Sequence, residues 1–304
     1  MLMAKNRLAA CFTAFIMMQL LAGCSIHQSA IAGDGHYTAD TIDFNEVKWY
    51  AQRASAAYNS AKQIKAAFPD TVRVVQVRDS KVQYFLESDP NAGLQIISIR
   101  GTDNLKNVRE DVEYIKSKNN KLDIYVHSGF DEATYKIYND IVPFLKKEYK
   151  IRLTGHSLGA AISTLLMMYL HEDGFEVERS INFGQPKVTN KDGAARYGFL
   201  PLTRVVNEND AVPLVPPVTL LSALHGVYRH MGDEIILLKG ERYVYLKQHQ
   251  ASKKLIEGFW ENIDHESITE HFIANYLINI NSKLGKSIRV PYAQRELYLD
   301  QHAD

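Results

Sequence analysis

A chain of 304 residues, 46% hydrophobic and 23% charged, can bury a large core, and one α/β domain accounts for that length. Its 35 basic residues balance its 35 acidic ones, so there is no basic excess of the kind nucleic acid attracts, and that class of partner is set aside.

Lys5 and Arg7 precede an apolar run from Leu8 to Ala22 interrupted only by Thr13 and Gln19. The run is short for a bilayer span and suits the apolar region of a signal peptide. It ends in Leu21-Ala22-Gly23-Cys24, which resembles the lipobox of bacterial lipoproteins. That resemblance implies cleavage after Gly23 and a diacylglycerol on the Cys24 thiol, whose acyl chains would anchor the chain to a membrane. Ser25 resembles the default for outer-membrane sorting, so the implied location is a bacterial cell envelope. The alternative is an ordinary secretory signal with a coincidental cysteine. Loss of Cys11 with the signal and lipidation of Cys24 would leave no pair for a disulfide. The expected organisation is therefore 1–23 signal, 24–40 small polar tether, and 41–304 one α/β domain.

Apolar positions recur at helical spacing from Phe44 to Phe68, and Pro69 stops that helix. Val72 to Val77 and Val82 to Leu86 read as a hairpin, and Leu94 to Ile99 as a third strand. Residues 104–116 are helix-like and polar. Leu122 to Val126 is a fourth strand, before a helix from about Asp131 to Lys147 in which Pro143 predicts a kink or restart. After a strand and helix around Gly155, further strands are expected at Ser180–Phe183 and Thr203–Val206. Glu234–Leu238 and Tyr243–Leu246 read as a hairpin, and a last helix runs from about Ser267 to Asn281. Strands alternating with helices through the middle predict a mostly parallel sheet covered on both faces.

Ile151 to Ala160 is the stretch the rest serves. An aliphatic strand leads into Gly155-His156-Ser157-Leu158-Gly159, the G-x-S-x-G pattern, and an apolar helix leads out. Such a turn strains the backbone and brings helix against strand, which is why side chains are missing at both glycines. It lifts the Ser157 hydroxyl clear of the sheet at the positive end of a helix. A nucleophilic serine needs a base, a group to orient that base, and donors for an oxyanion. With this elbow the chain order is serine, acid, histidine. The strand through Val205 and Val206 runs out into Asp210, with Pro213 fixing the loop beyond. Asp210 is thus the candidate acid, against the readings that it merely caps a turn or that Glu208 is the acid. Two later histidines qualify as base, His271 and His265. The Leu158 N–H is one oxyanion donor, and Thr102, on the loop leaving strand Leu94–Ile99, is expected to give the other. No His/Cys/carboxylate cluster has ligand spacing, so no metal and no cofactor are expected.

The run from Thr154 to Ala160 is similar to the nucleophile motif of the class 3 lipases. Further likenesses are spread from about 45 to 277. Ile99 to Asp103 resembles the family's F-R-G-T, Val126 to Phe130 its V-H-x-G-F, and Phe183 to Pro186 its F-G-x-P. Asn209 to Pro217 resembles N-D-x-V-P-x-x-P-P, and Tyr228 to Glu234 a block that is usually structural. The family's acid followed by H-x-[IM]-x-x-Y is met by Glu270, His271, Ile273 and Tyr276, which makes His271 the first choice and His265 the alternative. Against it, Ser267 to Glu270 looks like a capping box that would put His271 a turn inside the helix. His127 precedes the nucleophile and is read as a core histidine. The resemblance implies the α/β-hydrolase fold, Ser157, Asp210 and His271 as a triad, a site floor shaped by Phe183 to Pro186, and a segment 104–118 that is either a surface helix or a mobile cover. The implied activity is that of a lipid-anchored serine hydrolase acting on carboxylic esters of acyl lipids, as triacylglycerol lipase, esterase or phospholipase A. The alternatives are a non-catalytic envelope lipoprotein on the same scaffold, or an acyltransferase, thioesterase or peptidase with the same triad.

Overall fold

The structure, a computed structural model, describes residues 42–77, 82–101, 116–207, 209–216, 226–251 and 269–298. The chain divides into two units, 1–42 and 43–304, and every element below lies in the second. It opens with helices α1 (Phe44–Ala56) and α2 (Ala61–Ala67), followed by strands β1 (Thr71–Gln76), β2 (Gln83–Asp89) and β3 (Leu94–Ile99). The single helix expected from Phe44 to Phe68 is two. Ser60 and Gln63 cap each other's backbone N–H groups, which starts a new helix where the first would have run on.

Next come β4 (Lys116–Asn119), β5 (Ile124–His127), α3 (Ser128–Ile141), β6 (Lys150–His156), α4 (Leu158–Glu172) and β7 (Val177–Phe183). Pro143 acts where expected. α3 ends at Ile141 and a tighter turn takes Val142–Phe144, because proline supplies no N–H to continue the ladder. Of the segment 104–118, residues 104–115 lie outside those described, while 116–118 are strand rather than helix. The chain closes with β8 (Thr189–Asn190), α5 (Lys191–Arg196), β9 (Leu202–Asn207), β10 (Tyr228–Arg229), β11 (Asp233–Leu237), β12 (Arg242–Leu246), α6 (Ile273–Asn281) and β13 (Ile288–Arg289).

Among the described residues nine strands form the main sheet, in the order β1-β2-β3-β6-β7-β9-β11-β12-β13. Its centre, from β3 through β6, β7 and β9 to β11, is parallel, and the first hairpin joins it antiparallel. A second sheet of four short antiparallel strands, β10-β8-β5-β4, stands apart from it. Both faces of the centre are covered, as side-chain alternation along β6 shows. Leu153 packs in the cluster that holds Ile162, Leu165 and Leu166 of α4 and Ile137 of α3. Thr154, on the opposite face, reaches the Tyr50 carbonyl of α1 at 3.4 Å. Parallel strands place β3, β6, β7 and β9 with their carboxyl ends along one edge, where open α/β sheets gather their sites.

Helix α4 lies unusually close to that edge. A Cβ on Gly155 would stand 2.3 Å from the Gly159 carbonyl oxygen, and one on Gly159 would stand 2.2 Å from the Ile99 carbonyl oxygen. Backbone sits at both places, so no side chain can rotate away. Gly159→Ala is therefore expected to cost about 3 kcal/mol by overpacking. The control Gly285→Ala, whose Cβ meets nothing within 4 Å, should stay within about 0.5 kcal/mol in the same urea titration. Equal midpoints for the two variants would refute the packing reading.

His127 is the core histidine expected. Its Nδ1 accepts from the Phe130 N–H at 3.4 Å, capping α3, and its ring stacks on Phe130 at 3.9 Å. Nε2 is buried without a partner. Burial pushes this histidine down from 6.5 to about 4. The folded state thus stays neutral where the unfolded chain takes up a proton, so this contribution to stability is whole above pH 6.5 and is lost as pH falls toward 4. His127→Asn keeps a capping oxygen without the titration. Its unfolding free energy should fall less steeply over that window, by up to about 1.4 kcal/mol per pH unit. Superimposable slopes in acid would show that the ring is not buried neutral.

Candidate active site

Ser157 is the single residue between β6 and α4, with φ 58° and ψ −127°, a region that side chains other than glycine rarely enter. The surroundings hold it there: its N–H donates to the Phe183 carbonyl at 3.0 Å, and its own carbonyl accepts from Ala160 and Ala161. Leu158 is the first residue of α4, so its N–H has no carbonyl within the helix to pair with.

Asp210 follows β9 and is fully buried at the side chain. Its Oδ1 accepts from the Val212 N–H at 2.8 Å, while Oδ2 accepts from the Tyr276 hydroxyl at 2.5 Å and from His271 Nδ1 at 2.7 Å. One carboxylate oxygen thus caps the turn while the other faces His271 and Tyr276. Burial, with the carboxylate beside it, pushes the Tyr276 phenol well above its usual range, so it stays a donor. Behind the acid, His230 Nε2 donates to the Pro213 carbonyl at 2.6 Å and Lys187 Nζ to that of Pro216 at 3.1 Å, which braces the loop.

His271 lies two residues ahead of α6, in the turn before it. The capping box that would have drawn it into the helix does not set the start: α6 begins at Ile273, with Phe272 as its cap. Because Nδ1 donates to Asp210, Nε2 of the neutral ring is the acceptor. It is buried and, among the described residues, bonds to no group, the Ser157 hydroxyl included. The geometry thus leaves one basic nitrogen open beside the nucleophile turn, and such contacts often close only around substrate.

Three side chains hold the loop that carries His271. His156 Nε2 donates to the His271 carbonyl at 2.7 Å, Asn207 Nδ2 to that of Glu270 at 2.9 Å, and Asn275 Nδ2 to that of Thr269 at 2.8 Å. His156 in turn accepts from the Tyr58 hydroxyl at 2.8 Å. Sequence reasoning passed over His156 and Tyr58. His156 stood as a free letter of the motif, and nothing local marks its pairing with Tyr58. Tyr276 was matched without a role. Thr102, His265 and Cys24 lie outside the described residues, as does Glu208. Among the described residues no three His, Cys, Asp or Glu side chains gather as a metal site would need.

Residues 96–220 match the family model for lipase (class 3). The secreted mono- and diacylglycerol lipase 1 of Fusarium solani is 27% identical over 227 residues, covering 65% of this chain and 64% of its own. A lipase of Rhizomucor miehei is 27% identical, with 69% and 62% covered, so the chain spans a little under two thirds of these relatives' length. Among solved structures, lipase II of Rhizopus niveus superimposes with a TM-score of 0.60 at 22% identity, over 77% of this chain and 94% of its own. That likeness gives the fold, α/β-hydrolase, as the sheet order and the elbow at Ser157 also require. Residues 96–220, which hold both Ser157 and Asp210, are thus similar to the class 3 lipases.

Proposed function

We propose that this protein is a serine hydrolase cleaving carboxylic esters of acyl lipids, with Ser157 as nucleophile, His271 as base and Asp210 as the group that orients it. The observation that carries the reading is the buried hydrogen bond from His271 Nδ1 to Asp210, which leaves Nε2 basic and unpartnered beside a strained serine turn. The names of the relatives, a mono- and diacylglycerol lipase and a lipase, support an acyl glyceride as the first substrate to try.

In the first half-reaction the Ser157 oxygen attacks the ester carbonyl while His271 Nε2 takes its proton. The imidazolium that forms is held against the Asp210 carboxylate. The oxyanion would be met by the N–H of Leu158 and, as the resemblance implies, of Thr102; one such donor is typically worth about 3–4 kcal/mol in the transition state. Collapse of the tetrahedral adduct breaks the ester C–O bond, and Nε2 returns its proton to the leaving alcohol. Water then attacks the acyl-serine by the same route and releases the fatty acid. Phospholipase A action is the finer form of the same proposal, and the phospholipase A1 among the similar proteins makes phospholipid worth testing.

The motif Leu21 to Cys24 supports a second part of the proposal, attachment to a bacterial envelope membrane, on the outer-membrane side of sorting, through lipid on Cys24. An enzyme so tethered works within reach of membrane lipid.

Wild type, Ser157→Ala, His271→Ala and His265→Ala assayed on a short ester, a triacylglycerol and a phospholipid should separate cleanly. Acyl release from at least one is expected, lost on the order of a million-fold in Ser157→Ala. His271→Ala should fall by several orders of magnitude while His265→Ala stays near wild type. Turnover by Ser157→Ala equal to wild type refutes the assignment, and a fluorophosphonate that fails to label Ser157 favours a non-catalytic scaffold. For the anchor, cells fed an alkyne fatty acid should label the wild type and not Cys24→Ser; labelling of both would rule out Cys24 as the attachment point.

A further inference from the structure

His156 touches both halves of the site. It immediately precedes Ser157, and its ring reaches across to the main chain of His271, 2.7 Å from that carbonyl oxygen. The other two carbonyls of the base loop are held from elsewhere, by Asn207 at the end of β9 and by Asn275 within the loop's own helix. Through His156 alone of these three, a shift of the nucleophile turn is passed directly to the base.

We propose that His156 is a positioning residue: by donating Nε2–H to the His271 carbonyl it fixes the base loop against the nucleophile turn, and the Tyr58 hydroxyl holds the tautomer that lets it donate. The kinetic consequence rests on the hydrolase reading above; the hydrogen-bonded arrangement does not.

A carbonyl oxygen only accepts, so the proton of the His156 ring is on Nε2. The Nδ1 lone pair then needs a donor, and the Tyr58 hydroxyl stands 2.8 Å from it. Tyr58 is in turn seated by Gly101, where a Cβ would come within 2.6 Å of its hydroxyl, 2.7 Å of the His156 carbonyl oxygen and 3.1 Å of Ser157 Cβ. The strand exit next to Thr102 thus closes down on the same cluster. The groups facing the His156 ring are Tyr58 from the α1–α2 connection, the His271 ring at 4.6 Å, and the Tyr276 ring of α6 at 6.0 Å, with Asp210 behind His271. Burial first, and then repulsion by His271, hold His156 well below the usual histidine range. When His271 accepts the serine proton, the cluster therefore carries one positive ring beside one carboxylate, and His156 adds no second charge. The ring's work is geometric.

The test compares His156→Leu, which fills similar space without a donor, His156→Gln, which carries an N–H to the same carbonyl, and Tyr58→Phe. On whichever ester the wild type hydrolyses, His156→Leu should lower kcat about a hundredfold with KM within about threefold, and His156→Gln should regain about tenfold of that loss. Tyr58→Phe should fall between. Hydrogen exchange over 269–276 supplies a readout that needs no turnover: it should be faster in His156→Leu and return toward wild type in His156→Gln. Nitrogen NMR of the wild type should show His156 as the Nε2–H tautomer, uncharged where exposed histidines titrate. Leucine and glutamine variants alike in kcat and in exchange would overturn the positioning role, as would an Nδ1–H tautomer. A wild type that hydrolyses no ester but shows the stated tautomer and exchange pattern sinks the hydrolase reading while upholding the clamp.

Discussion

Between β6 and α4 the chain reverses in one residue, and that residue, Ser157, stands at φ 58° and ψ −127°. Strain of this kind costs about 1–3 kcal/mol and persists only where neighbours leave no alternative. Here the neighbours are backbone. The missing side chains at Gly155 and Gly159 let α4 settle against β3 and β6, and the helix cannot begin there unless the chain turns as sharply as it does. Relaxing the angle would pull the first turn of α4 off the sheet, together with the buried Ala160, Ala161, Ile162, Leu165 and Leu166 beyond it. The apolar burial of one helix thus holds a polar side chain in an unfavourable place.

Around that serine the fold buries a cluster of groups that each demand a partner. Asp210 takes three donors, one on Oδ1 and two on Oδ2, and His156 uses both ring nitrogens. Unpaired, each would cost a few kcal/mol in so dry a setting. The satisfied network rigidifies the segment from Thr269 to His271 and fixes which nitrogen of His271 carries its proton. Against that background the open Nε2 is informative. It is left unpartnered beside Asp210, His156 and Tyr276, whose side chains are all paired, and functional sites are among the places where such exceptions occur.

Much of this was legible in the sequence, for physical reasons that differ by residue. Gly155 and Gly159 announce themselves because a close helix–strand approach admits no other residue. Asp210 is legible because a β-branched strand ends just before it and prolines stiffen the loop beyond it. The long strands and helices show their periods. The strands β8 and β10 do not, since a two-residue strand has no period to read. The break after Ala56 was hidden because the apolar spacing carries on through it, and only the polar exchange between Ser60 and Gln63 divides the helix. His271 was found through a pattern, while the local signal at Ser267 to Glu270 argued for burying it in a helix. His156 and Tyr58 could not be found at all. Their bond joins residues 98 apart, and neither residue type is unusual where it stands.

The geometry of the sheet explains why the base must come from so far along the chain. Ser157 follows β6 and Asp210 comes after β9, with β7 between the two strands. Neighbouring strands lie about 4.8 Å apart, so the two ends are roughly 10 Å from each other, too far for a carboxylate to act on the serine itself. An imidazole spans the gap only by lying over the end of the intervening strand. That strand ends at Phe183, and the next residue is Gly184, with φ 56°. A Cβ there would meet His271 Cε1 at 2.7 Å, His271 Nδ1 at 2.9 Å and Asp210 Oδ2 at 3.0 Å. Gly184 is therefore the seat on which the ring rests. The left-handed backbone that favours glycine and the space the ring requires occur at one residue, because the chain must turn away from the sheet just where the histidine comes to lie above it.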